Sequence, residues 1–99
     1  MNCVRCAKPL QKPCAGIAVF VAGDEYVYSY FWCDDCGSYS VEGYHDRFMG
    51  DSEVFALPSI PREEGDRAVA LIRACPEPGN KLCDCASHRA LYTGRVGPV

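Results

Sequence analysis

Basic residues are in the minority in this chain: 10 Lys and Arg stand against 13 Asp and Glu, a formal net charge of −3 over 99 residues. Binding to generic DNA or RNA draws its strength from a basic face that displaces counterions from phosphates, so nucleic acid is not an expected partner. Long apolar runs are lacking as well. The longest candidate, Ile17 to Ala22, is strand-sized and far short of the roughly 20 residues a membrane span needs. The opening Met1-Asn2-Cys3 carries no basic stretch, apolar core or cleavage site, which argues against secretion and for a reducing, cytoplasmic setting. There is no Gly-rich phosphate loop, no Ser-centred nucleophile motif and no close pair of carboxylates assignable to one cleft. Histidine is scarce, with His45 and His88 alone.

Cysteine is what the chain has in excess, with eight residues. Two Cys-x-x-Cys pairs stand at Cys3/Cys6 and Cys33/Cys36, and three more thiols precede an imidazole at Cys75, Cys83, Cys85 and His88. In a reducing compartment such pairs read first as metal ligands and second as redox centres. A tetrahedral zinc ion with Zn–S bonds near 2.3 Å sets its sulfurs about 3.8 Å apart, a separation that two cysteines in a tight turn reach while backbone N–H groups point at them. A chain this short buries only about 60–70% of its unfolded surface, and a structural zinc site worth on the order of 10–16 kcal/mol would supply the missing stability. Seven thiolates and two divalent ions would move the net charge to about −6. Lys81, Arg89 and Arg95 form a local basic patch suited to offsetting that charge.

Taken in order, Lys8-Pro9, Lys12-Pro13 and Gly16 predict irregular backbone after the first pair. Cys14, alone beside Pro13, reads as a small buried apolar residue before a ligand. Ile17–Ala22 and Tyr26–Trp32, separated by Gly23-Asp24, predict a hairpin. Tyr26, Tyr28, Tyr30 and Trp32 then share one face, as a stacking platform for bases or, more simply, as the cover of a small sheet. Ser38–Glu42 predicts a third strand and Glu53–Leu57 a fourth, closed by Pro58. Gly37 after the second pair permits the positive φ that turns a knuckle back on itself. His45 beside Asp46 is open to three roles: a satisfied, partly buried histidine, a ligand of a second metal, or a catalytic base.

The order of knuckle, hairpin, knuckle with Cys-x-x-Cys-Gly and returning strand resembles a rubredoxin-like zinc ribbon over residues 3–44. The resemblance implies one ion held by Cys3, Cys6, Cys33 and Cys36. It departs from the iron-carrying version of that family in having Ala7 after the first knuckle and Asp34-Asp35, with no proline, inside the second. Those departures favour zinc over iron.

Pro61 near the first helical position and Glu63-Glu64 behind it predict a helix over 62–74, with Ala68, Val69, Leu71 and Ile72 on its buried face. Gly65 weakens the opening turn, so Asp66 is a rival N-cap. Pro76 ends the helix, and Cys75 falls on its inner face. Cys83 and Cys85 face one way in extended backbone, Cys85 and His88 lie one helical turn apart, and Cys75 closes a Cys3His shell with no open position for water.

The expected fold is therefore α+β: a small zinc-ribbon-like antiparallel sheet with one main helix and a C-terminal second zinc knuckle. Residues 1–99 form a single domain, 1–57 the sheet and 58–99 the helix plus second knuckle. Two zinc ions per chain are the expected cofactors, and another protein the expected partner. The alternatives are a rubredoxin-like iron electron carrier and a metal-dependent hydrolase assisted by His45 or His88. The hydrolase suffers from two complete four-ligand sets that leave no metal position open.

Overall fold

The computed structural model of the chain describes residues 1–21, 24–47, 50–80 and 85. Four antiparallel strands lie in sequence order, β1 (Ala15–Val21), β2 (Asp24–Cys33), β3 (Ser38–Asp46) and β4 (Glu53–Ala56), and a two-residue β5 (Ile60–Pro61) also pairs with β3. The predicted hairpin is β1–β2, in register from Ala15 opposite Tyr30 to Val21 opposite Asp24. β3 runs four residues past the expected Glu42, because β4 pairs with that extension from Glu42–Ala56 to His45–Glu53. β5 sits at the other end of β3, where Tyr39 faces Ile60, so one long strand organises both late strands.

Helix α1 (Arg62–Ala74) packs on one face of the sheet. Pro61 precedes it in extended backbone, Glu63 and Glu64 occupy the first turn and Arg73 the last, an arrangement that suits the helix dipole. Asp66 is inside the helix rather than at its cap, and its carboxylate takes the Tyr39 hydroxyl at 2.6 Å instead. Ala68, Val69 and Ile72 meet Ile17, Val19, Tyr26, Tyr28, Tyr30, Tyr39 and Val41 in a single core, whereas Leu71 is only half-buried. Tyr28 and Tyr30 are wholly buried and Tyr26 nearly so. The aromatic ladder is thus the floor under α1, where each fully buried large side chain contributes roughly 1.5–3 kcal/mol. It is not presented to solvent as a stacking platform.

Two glycines shape that core. Gly43 lies between Tyr28 and Phe55 across the strands, and Phe55 covers it so closely that any Cβ there would fall within the phenyl ring. Gly65 does the same for the helix: the Tyr39 ring occupies the space a side chain would need. The glycine expected to weaken α1 is what lets it approach the sheet. No helix among the described residues is long and apolar enough to cross a membrane.

Gly65→Ala tests this packing. Alanine would gain about 1 kcal/mol of helix propensity, yet displacing the Tyr39 ring costs about 1–3 kcal/mol and breaks its bond to Asp66. The urea midpoint is expected to fall, and a rise would show that the Gly65–Tyr39 contact is looser than described.

Candidate metal centre

Residues 1–10 fold back on themselves as a short loop, with Asn2 bridged to Pro9, Leu10 N–H donating to the Met1 carbonyl at 2.8 Å and the Met1 ammonium to Leu10 O at 3.0 Å. Inside it, Cys3 N–H donates to Lys8 O and Ala7 N–H to Cys3 O, both at 2.9 Å. The second Cys-x-x-Cys makes the same turn between β2 and β3, where Gly37 N–H donates to Cys33 O at 2.9 Å. The likeness extends to the backbone after each pair: Ala7 has φ 64° and Gly37 φ 62°. Gly37 takes the left-handed conformation freely, as expected from sequence, whereas Ala7 takes it against its own Cβ.

The two knuckles meet at the end of the β2–β3 ladder, on the sheet face opposite α1. Cys33 is fully buried and Cys3 nearly so, Cys36 is half-buried and Cys6 exposed. Cys3 Sγ lies 3.8 Å from Cys36 Sγ and Cys6 Sγ 3.7 Å from Cys33 Sγ, and all four sulfurs fall within 4.8 Å of one another. Sulfurs around one tetrahedral zinc stand about 3.8 Å apart, so the four are placed to share a single ion. This is the set expected from the spacing, with one sulfur of each knuckle against one of the other.

Neighbouring groups hold the set in place. Val4 N–H donates to Ser40 Oγ at 3.1 Å, fastening the first knuckle to β3. Trp32 Nε1–H donates to Asp34 Oδ1 at 2.6 Å in the second. Lys8 Nζ and Asp35 Oδ2, 3.5 Å apart, link the two knuckles through an exposed pair that adds little energy. Sequence reasoning had not singled out Ser40, although the two-residue strand period puts it on the same face as Cys33, and its pairing with Phe31 confirms that placement.

The thiols are unequal. The backbone N–H groups of Cys6 and then Arg5, helped by Ser40 and Cys33 and opposed by burial, together lower the Cys3 pKa to about 6. Arg5 N–H reaches Cys3 Sγ at 3.4 Å. At Cys33 the N–H of Cys36 pulls the other way from burial and from the Cys6 and Cys3 sulfurs, which prevail and raise it. Cys36 is pushed up to about 12 by its contact with Cys6, then by burial, the other two sulfurs and the charge on Cys3. Without a cation, charge settles on Cys3 while Cys33 and Cys36 resist ionising. A divalent ion removes that resistance.

The remaining candidates lie elsewhere. His45 is nearly buried, stacked on Tyr26 at 4.1 Å between ring centroids, with Nε2 2.8 Å from Asp24 Oδ2 and Nδ1 3.5 Å from Glu53 Oε1. Both ring nitrogens face carboxylates, so His45 takes the role of a satisfied, partly buried histidine. Cys14 is half-buried beside Trp32, Tyr39, Arg62 and Asp66 around a hollow of about 300 Å³, away from the four-cysteine cluster. Of the proposed second set, Cys75 is buried at the end of α1 and Cys85 reaches it, while Cys83 and His88 lie outside the described residues.

No family model matches the chain, and no curated protein or solved structure is similar to it.

Two measurements follow from this geometry. Loading the cluster must displace the protons of Cys33 and Cys36, so metal affinity should rise with pH between about 6.5 and 8, with at least two protons released per ion; below pH 6 Cys3 also protonates and the dependence should steepen. Chelator competition across that range checks it, and a pH-independent affinity would contradict the assignment. Ala7→Gly should raise the melting temperature by removing about 1 kcal/mol of left-handed strain; a fall would mean that the Ala7 turn is not strained.

Proposed function

We propose that this chain is a small zinc-binding protein with two structural zinc sites, serving as a protein-interaction or regulatory module and not as an enzyme. The observation that carries the proposal is the convergence of Cys3, Cys6, Cys33 and Cys36 within 4.8 Å. Four thiolates complete a tetrahedron, and a closed shell leaves no position at which water could be activated or a carbonyl polarised. Its role is then to hold the N-terminal loop against the sheet.

Zinc is preferred over iron on Ala7, after the first knuckle, and Asp34-Asp35, inside the second. For the second site the proposed ligands are Cys75, Cys83, Cys85 and His88, and the support is the approach of Cys85 Sγ to Cys75 Sγ at 3.3 Å. His45 is set aside as a rival ligand because Asp24 and Glu53 face its nitrogens. A reducing, cytoplasmic setting belongs to the same proposal, because thiols persist there as metal ligands.

A protein partner is the reading that the surface supports. On the sheet face away from α1, Val27, Tyr44 and Val54 lie in one row across β2, β3 and β4, with Phe20 nearby on β1. Tyr44, Val54 and Phe20 are substantially exposed. Glu25, Glu42 and Asp46 flank them on that face, so a nucleic acid would meet carboxylates where it needs cations.

Element analysis of the purified protein should give two zinc ions per chain and no strong visible absorption. Cys33→Ser should lose the N-terminal ion and loosen the sheet, whereas Cys83→Ser and His88→Ala should each lose the other ion and keep the first. A coloured, iron-loaded protein would favour the electron carrier, and full metal content in Cys33→Ser would overturn the proposed ligand set.

A further inference from the structure

Cys75 closes α1 as its C-cap, with its N–H donating to Ile72 O at 3.1 Å and its side chain buried. Ten positions later Cys85 returns to it, and Cys85 Sγ donates to Cys75 Sγ at 3.3 Å. The intervening turn is anchored. Ala18 N–H on β1 donates to Pro78 O at 2.8 Å, and Asn80 bonds Glu77 twice, through its backbone N–H at 3.0 Å and its side-chain amide at 3.1 Å. The chain that leaves Cys75 is thus fastened to the sheet edge as far as Asn80.

Their 3.3 Å separation is shorter than the 3.7 and 3.8 Å contacts of the N-terminal cluster. It is also shorter than the roughly 3.8 Å edge of a zinc tetrahedron, and about 1.3 Å longer than a disulfide bond. Exposure differs across the pair, since Cys85 is half-buried and Cys75 is buried. A reagent from solution meets Cys85 first.

We propose that Cys75 and Cys85 form a dithiol site that is oxidised by small-molecule disulfides to an intramolecular disulfide. The Cys85 thiolate attacks one sulfur of the disulfide RSSR, forming the mixed disulfide Cys85–S–SR and expelling one thiolate, which leaves as RSH. The Cys75 thiolate then attacks the Cys85 sulfur, forming the Cys75–Cys85 bond and expelling the second RSH. Two electrons pass from the protein to the small disulfide, and the two thiol protons end on the two RSH molecules. A sulfur committed to a disulfide no longer offers a thiolate to a metal, so oxidation and ion binding at this end of the chain exclude each other. That last consequence rests on the second zinc site proposed above; the dithiol chemistry does not.

The test uses the full zinc-loaded chain and oxidised glutathione, read by intact mass, peptide mapping and zinc count. The expected product is lighter by about 2 Da, carries a Cys75–Cys85 cross-link, and holds one zinc where the reduced protein holds two. Cys75→Ser should instead accumulate one glutathione on Cys85, and Cys85→Ser should take none on Cys75, a pair of results that holds even where Cys75→Ser lowers stability. Cross-linking of Cys75 to Cys83, or oxidation of the N-terminal cluster first, would overturn the proposal. Two zinc ions with no Cys75–Cys85 bond would sink the dithiol and leave the second zinc site standing. One zinc in the reduced protein, with the bond still forming, would do the reverse.

Discussion

Four sulfurs held within 4.8 Å of one another are an arrangement that only a cation makes comfortable. Left to themselves, Cys3 takes a charge while Cys33 and Cys36 keep their protons, because a further thiolate meets the charge already there. The rest of the structure serves that convergence. β2 and β3 pair without interruption up to Cys33 opposite Ser38, which sets the second knuckle at the sheet's end, and Ser40 on the next position of the same face receives the first knuckle through Val4. An ion there would close a contact between residues 33 positions apart that no secondary structure supplies.

The sheet is thus used on both faces, by different physics. On one, α1 and the buried tyrosines form a core of ordinary hydrophobic packing, tight enough that two glycines are required by the rings of Phe55 and Tyr39. On the other, the N-terminal loop is short, and of residues 1–10 only Cys3 is buried. Its own hydrogen bonds close the loop, and coordination would be an interaction strong enough to hold it against the sheet. A small domain gains from this division, because its one core is left to a single face.

Much of this was legible in the residues. The paired cysteines, the Gly23-Asp24 break between strand-forming runs, and Pro61 before two glutamates announce the first site, the hairpin and the helix, since each rests on local chemistry. What was not legible depends on distant partners. β3 outruns its expected end because β4 covers its extension and Phe55 fills the space over Gly43, a residue that looks like a strand breaker in isolation. β5 escapes notice because two residues ending in proline carry no periodicity. Gly65 reads as a weakness until the Tyr39 ring is placed against it, and Asp66 reads as a cap until that ring's hydroxyl claims it. His45 was open among three roles because the two carboxylates that decide it come from β2 and β4. Of the C-terminal set, Cys75 and Cys85 are in contact, while Cys83 and His88 lie outside the described residues.

The central claim is that one ion is bound by sulfur alone, from both knuckles at once. X-ray absorption at the zinc edge tests it most directly, on the Cys85→Ser chain so that the N-terminal site dominates the signal. The account predicts a first shell of four sulfurs at about 2.3 Å, with no lighter atom. A shell containing nitrogen or oxygen would contradict it, for then Cys3, Cys6, Cys33 and Cys36 would not all be ligands and the two knuckles would need another reason to meet.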